Sequence, residues 1–221
     1  MTVRLIFRLA LAVSAILGGA MHSSAQTHYK ANIAIGVKGG ADMSRVFFNP
    51  SVRQSFIFGG VAGMTFRYVE ENHFGLIAEV NWTQRGWKES FEEAPYNYSR
   101  TSNYIQIPVM AHIYFGRRGR FFFNAGPEIG FFLGESTKAN FDPFNTSELP
   151  GFPNTNRTNT QQTLPISHKV DYGISAGIGG EFSITRHNAL YMEARFYYGL
   201  GNIVKSGRTE PFNASNQMSV S

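Results

Sequence analysis

Eight ionisable residues fall at alternate positions of otherwise apolar stretches: Arg67, Glu79, Arg85, Glu128, Asp171, Glu181, Glu193 and Arg195. Carboxylates and guanidinium groups so placed have two chemistries open to them. They can carry protons or ions along a path, or they can neutralise one another as buried pairs, since an unpaired buried charge is expensive and a paired one roughly breaks even. Both need the groups on one side of their elements and screened from water.

Other chemistry finds little support. The six histidines, His22, His28, His73, His112, His168 and His187, form no HExxH pair and no other close ligand pair. Cysteine is absent, which excludes a disulfide scaffold, a thiolate metal site, a cysteine nucleophile and a lipid-acylated cysteine. GxSxG and Walker sequences are missing as well. The glycines of "GISAGIGGEF" would need a following helix to cradle a dinucleotide, and alternation runs straight through them instead. No catalytic residue, metal or cofactor is expected, and the chain is not expected to be an enzyme.

The elements that must position the eight residues read as long strands. In "VDYGISAGIGGEFSI", Val170, Tyr172, Ile174, Ala176, Ile178, Phe182 and Ile184 share one face. Asp171, Ser175, Glu181 and the small residues Gly173, Gly177 and Gly179 share the other. The same period of two predicts eight strands: Ile33–Arg45, Phe56–Val69, His73–Lys88, Ser102–Phe115, Arg120–Gly134, Val170–Ile184, Ala189–Ile203, and one beginning near Ser215. These exceed the about 5 to 6 residues typical of soluble strands. Tight connections ("VEENH", "GRRGR", "TRHN") alternate with long ones, as in an up-and-down transmembrane barrel with short periplasmic turns and long outer loops. The longest, Glu135 to Lys169, is rich in Asn, Thr and Pro and is the best candidate for outside contacts.

A charge on a lipid-facing strand position costs about 2–4 kcal/mol near the midplane. The apolar faces are therefore expected to meet hydrocarbon, and the eight ionisable residues to lie inside. A strand assembly in lipid must close on itself, and eight strands leave a lumen just wide enough for side chains to fill. Inner-face glycines relieve crowding there. The eight residues are accordingly expected to form a structural network rather than a catalytic site. Tyr68, Trp82, Trp87, Tyr104, Tyr114, Phe115, Phe121, Tyr172, Tyr197 and Tyr198 gather toward strand ends, where rings with a polar handle suit the membrane boundary.

The first residues carry Arg4 and Arg8, an apolar run from Leu9 to Gly18, and small residues at Ser23 and Ala25. This is the layout of a signal peptide, residues 1–25, cut after Ala25. The run is too short for the about 20 residues of a spanning helix. The barrel domain is then 26–221. Loss of the two arginines lowers the formal charge from +5 to +3, too mild to point to nucleic acid.

"NYIQIPVMAHIYFG", "FNAGPEIGFFLGES", "VDYGISAGIGGEFSI" and "ALYMEARFYYGLGNIV" together resemble the PorT-like outer-membrane β-barrel family of Gram-negative bacteria, and "IAIGVKGGADMS" is similar to its first strand. The resemblance rests on Tyr-x-x-Ile-Pro at Tyr104–Pro108, Gly126–Pro127 and the run Asp171–Gly179, and it covers about Ile33 to Ser221. It implies an eight-stranded barrel of the cell envelope with no catalytic residues, and an association with protein secretion in the best-known relative. Relatives carry a full last strand. Here the sequence reaches only Ser221, so an incomplete eighth strand with an unpaired edge is expected.

The expectation is thus an all-β antiparallel barrel in the outer membrane, exported through a cleaved signal peptide, monomeric, in contact with outer-membrane lipid, and structural or accessory to secretion or surface-assembly proteins. The rival reading is a secreted or periplasmic ligand-binding barrel of lipocalin type, which would reverse the faces and put its charges outside.

Overall fold

The computed structural model describes residues 32–91, 95–117, 119–152, 160–185, 188–205 and 213–221. The expected signal peptide lies outside the described residues. The elements are β1 (Asn32–Asn49), β2 (Gln54–Ser55), β3 (Ile57–Glu71), β4 (Phe74–Glu89), β5 (Tyr98–Gly116), β6 (Gly119–Ala139), the single helical turn α1 (Thr160–Thr163), β7 (Val170–Ser183), β8 (Ala189–Gly199) and β9 (Asn213–Val220).

Strict alternation makes these segments strands, because period two puts every apolar side chain on one face of the pleat. The eight long strands pair antiparallel with their chain neighbours, and β9 hydrogen-bonds to both β8 and β1, so the sheet rings. The two-residue β2 pairs only with the end of β4, Gln54 opposite Glu89 and Ser55 opposite Lys88. Among the described residues it is the one strand that alternation does not predict, since two residues carry no period.

Two tight turns depend on left-handed backbone. His73 has φ 72° between β3 and β4, and Gly116 has φ 107° at the end of β5. A Cβ on Gly116 would come within 2.2 Å of the Gly119 carbonyl oxygen, so that turn needs glycine.

The strands outrun a membrane. β5 has 19 residues and β6 has 21, against the about 9–11 that span hydrocarbon. Both extend at the loop end beyond the boundaries expected from sequence, through Tyr98–Thr101 and Glu135–Ala139. In those stretches polar residues replace apolar ones on the outer face, so the period-two signal fades although the ladder continues.

The seam is uneven. β9 pairs with β1 from Met43 to Asn49, but with β8 at Phe196, Tyr197 and Tyr198, a pairing that Ser221 extends by two backbone bonds to Arg195. The ring therefore closes at the loop end. Among the described residues, the β1 stretch Asn32–Asp42 pairs with β3 alone and the β8 stretch Ala189–Ala194 with β7 alone. Ile33, Ile35 and Val37 lie along that edge, and Val37 is 86% exposed.

Most apolar residues face outward, among them Phe58, Val80, Ile129, Ile174 and Phe196. At the mouth, Val46, Phe48, Trp87, Tyr98, Ile166, Ile203 and Val204 form a buried cluster. A smaller one, Val69, Tyr114 and Phe122, lies toward the short turns. The expected seventh strand, Ala189–Ile203, is corrected here: it stops at Gly199, and Ile203 and Val204 turn inward to join the cluster. Its acceptor Ile203 O takes bonds from the amides of Ser167 and His168, 3.0 and 3.2 Å, so the ladder continues as a loop contact.

Candidate functional site: the lumen and its covered mouth

Alternation directs the inner positions of every long strand into one narrow space. The eight ionisable residues meet there in three groups stacked along the barrel. Nearest the short turns, Arg67 of β3 bonds Glu181 of β7 at 2.9 Å. Arg120 stands 3.6 Å from the same carboxylate. The Tyr191 hydroxyl donates to it at 2.9 Å, and the Arg67 guanidinium lies over the Tyr191 ring.

At mid-height, Arg195 of β8 donates two bonds to Glu79 of β4, 2.6 and 2.8 Å long. This is the parallel fork that guanidinium and carboxylate favour. Lys38 reaches Glu79 at 3.1 Å, and the Asn81 side-chain amide donates to it at 2.7 Å. Arg195 also bonds its own-strand neighbour Glu193 at 2.7 Å. Glu193 accepts a further bond from Asn124, whose carbonyl oxygen is 2.7 Å from His112 Nδ1.

Toward the loops, Arg85 bonds Glu128 at 2.9 Å and stands 3.9 Å from Asp171. Its guanidinium stacks on the Tyr197 ring at 3.9 Å, and the Tyr197 hydroxyl donates to Asp171 at 2.8 Å. Ser175 donates to the second oxygen of Glu128.

The wall makes room for these groups with glycine. A Cβ on Gly173 would sit 2.2 Å from the Tyr198 carbonyl oxygen and 2.7 Å from the Tyr197 ring. A Cβ on Gly177 would sit 2.3 Å from a Glu193 carboxylate oxygen. Tyr197 and Glu193 lie flat against bare backbone, a close approach only glycine permits.

Above the lumen, residues 160–166 of the β6–β7 connection lie over the opening. The Glu89 carboxylate accepts from the side-chain amides of Gln161 and Gln162 in α1, at 2.9 and 3.0 Å. Arg100 donates to the carbonyl of Leu164 at 2.6 Å while holding Glu135 at 2.6 and 2.8 Å. Tyr98 donates its hydroxyl to Gln162 O at 3.2 Å. Ile166 then packs into the mouth cluster beside Trp87 and Phe48. Within the connection expected to be the best candidate for outside contacts, residues Thr160 to Ile166 form a cover.

Sequence reasoning misses several partners. Lys38 sits on the inner face of β1, and alternation in "IAIGVKGGADMS" carries the signal that finds it. Glu89, Arg100 and Glu135 escape because they fall where connections are expected. The aromatic belt also needs correction. Trp87, Tyr104, Tyr114 and Tyr197 point inward and are buried, whereas Trp82, Phe115, Phe121, Tyr172 and Tyr198 face outward. A ring near a strand end is consistent with either face, and only its parity in the strand decides.

The outer surface is the complement of the lumen. Ile107, Val109, Ile129, Ile174, Ile178 and Phe196 stand exposed on it. An apolar wall around an ionic filling is what hydrocarbon outside requires, and it is the reverse of a lipocalin-type barrel. Among the described residues no group of three or more His, Asp or Glu is placed to hold a metal ion.

Residues 24–205 match the family described as Outer membrane protein beta-barrel domain. No curated protein matches the chain. Among solved structures it is similar to neisserial surface protein A, with 11% identity, TM-score 0.44, and coverage of 86% of this chain and 94% of that one. It is similar also to Ail, the attachment invasion locus protein of Yersinia pestis, solved with the heparin analogue sucrose octasulfate, with 14% identity, TM-score 0.36 and the same coverages. The chain belongs to the outer membrane protein beta-barrel domain family and is an outer-membrane β-barrel in contact with membrane lipid.

Proposed function

We propose that this member of the outer membrane protein beta-barrel domain family is a filled, non-enzymatic barrel that serves the envelope as a scaffold, accessory to protein secretion or surface assembly, and not as a pore. The observation that carries this reading is the double obstruction of the lumen. Three layers of ion pairs cross it, and the α1 segment, tied to Glu89 and Arg100, covers its mouth. Buried pairs of this kind hold their geometry because breaking one strands a charge. A solute path would need several to break together.

The secretion role rests on the sequence resemblance to the PorT-like family at Tyr104–Pro108, Gly126–Pro127 and Asp171–Gly179. Two measurements test the proposal. Purified protein in planar bilayers is expected to give no sustained conductance; open-channel steps sink the scaffold reading. Crosslinking in intact cells followed by purification is expected to bring down secretion or surface-assembly proteins; recovery of the barrel alone removes the accessory role.

A further inference from the structure

β6 parts from β7 before it ends. The two pair as far as Phe131 opposite Val170, and the last bond on that side runs from the Phe132 amide to Lys169 O at 2.8 Å. At Leu133 the ladder with β5 shifts register, since Phe132 faces Tyr104 while Gly134 faces Asn103. A bulge of this kind bends the strand that carries it. Beyond the bulge, Gly134–Ala139 stays in ladder with β5 alone. Among the described residues no strand pairs with it on the other side.

A strand paired antiparallel on one side turns the N–H and C=O of every second residue away from its neighbour. Here those groups face solvent. Residues 135–139 are exposed, and they lie past Leu133, the last outward apolar residue of β6. The edge is also held in shape at both ends. Arg100 grips Glu135 with two bonds, 2.6 and 2.8 Å long. The Asn97 amide donates to the Asn140 side-chain oxygen at 2.8 Å, and the Asn140 amide returns a bond to Asn97 O at 3.2 Å. Free backbone groups along such an edge are a template for one more strand. Because the edge is already ordered, adding that strand costs little on the barrel's side.

Side chains select which strand. Directly opposed residues share a face of the sheet. Ser136 and Lys138, opposite Thr101 and Ser99, stand on the outer face, and Thr137, opposite the buried Arg100, on the inner. Glu135 is already neutralised by Arg100. Among the described residues, Lys138 has no carboxylate within ion-pair distance. The edge therefore carries one uncompensated positive charge among small and β-branched neighbours. An added strand with an acidic residue opposite Lys138 complements it. A second copy of the same edge does not, because it brings another Lys138 and no free carboxylate.

We propose that the Gly134–Ala139 edge of β6 accepts an extended, acidic segment of an exported protein as an additional strand. This inference rests on the accessory role proposed above and gives that role a place of contact. Main-chain bonds hold the segment, and Lys138 selects it.

The test uses the full chain folded in detergent. The probes are a labelled peptide, Thr-Val-Thr-Asp-Thr-Val-Thr, its Asp→Lys counterpart, and the acidic peptide with alternate backbone nitrogens methylated. Fluorescence anisotropy reads binding, and hydrogen–deuterium exchange reads where it occurs. The acidic peptide is expected to bind and to slow exchange within residues 134–139. The Lys peptide is expected to bind about fivefold more weakly, and the K138E variant to reverse that order. The methylated peptide, which cannot complete the ladder, is expected not to bind. Unchanged heat-modifiable gel migration of K138E shows that its barrel is intact. Equal binding by the methylated peptide overturns strand addition. Protection at Asn32–Asp42 of β1 instead of 134–139 overturns the location. The same preference in wild type and K138E overturns selection by Lys138, and a dimer that the acidic peptide dissociates assigns the edge to a second copy. If no peptide binds while crosslinking in cells still recovers secretion or surface-assembly proteins, this edge is rejected and the accessory role stands. Peptide binding with the barrel recovered alone overturns the exported partner.

Discussion

Arg195 on β8 and Glu79 on β4 face each other from opposite sides of the ring, four strands apart in either direction, and are joined by bonds of 2.6 and 2.8 Å. The pair spans the lumen at mid-height and draws in Lys38 and Glu193. It fixes the separation of two walls that share no ladder. Its removal therefore tests whether the filling sets the barrel's stability.

Arg195→Ala leaves Glu79 with Lys38 and Asn81 alone, and leaves Glu193 without its cation. A loss of about 3–5 kcal/mol is expected from stranding a buried charge. The double change Glu79→Met with Arg195→Met removes both charges and is expected to recover most of that loss. Urea unfolding from lipid vesicles reads both; equal losses in the single and double variants contradict the pairing argument.

Gly173→Ala and Gly36→Ala form a matched pair. A Cβ at Gly173 meets the Tyr198 carbonyl and the Tyr197 ring, whereas nothing lies within 4 Å of one at Gly36. Overpacking at Gly173 is expected to cost about 1–3 kcal/mol. The Gly36 change is expected to be neutral or to stabilise by up to about 1 kcal/mol through the unfolded chain. Similar effects at the two positions, measured by the same unfolding, count against close packing of Tyr197 on the wall.

Ile174 is exposed on the outer face of β7, and Ser175 beside it is buried inside. Ile174→Arg is expected to destabilise the membrane-inserted barrel by about 2–4 kcal/mol. Because the chain has no cysteine, single-cysteine variants report sidedness cleanly. A thiol at Ile174 is expected to resist aqueous maleimide in proteoliposomes, and one at the 80% exposed Phe144 to react at once. Fast labelling at Ile174 ends the assignment of that face to lipid.

The cover over the mouth hangs on few groups. Arg100→Ala removes the bonds to Leu164 O and Gln161 O together with the ion pair to Glu135. Hydrogen bonds from a charged donor are each worth about 1.5–3 kcal/mol. Trypsin added to intact proteoliposomes is expected to cut the variant faster than wild type between Glu135 and Lys169. Unchanged cleavage shows that the cover is held by its apolar contacts alone.

Most of the barrel was legible in the residue pattern. Seven strands are found within a few residues of their bounds because period two cannot be mistaken over a dozen residues. The eight lumen charges are legible for the same reason: each breaks an apolar run at a position of fixed parity. What parity does not carry is who meets whom across the ring. Arg67 bonding Glu181, or Arg195 bonding Glu79, depends on register and stagger summed over several strands. The cover is illegible for another reason. Glu89, Arg100, Gln161 and Ile166 lie in segments with no period, and their contacts are long-range and specific to this packing. Inward Trp87 and Tyr197 show the remaining ambiguity, since an aromatic near a strand end satisfies either side.

The roof over the mouth takes Val46 and Phe48 from the first strand and Ile203 and Val204 from the segment after the eighth. No single hairpin contains both halves. During biogenesis the roof can thus come together only once the two flanks of the growing sheet have met, and contacts of such sequence separation form late. Time-resolved proteolysis during insertion should find the α1 segment cleavable until the ring shuts. The lumen is open to solvent while the sheet curls, and is sealed in the same event that completes the circle.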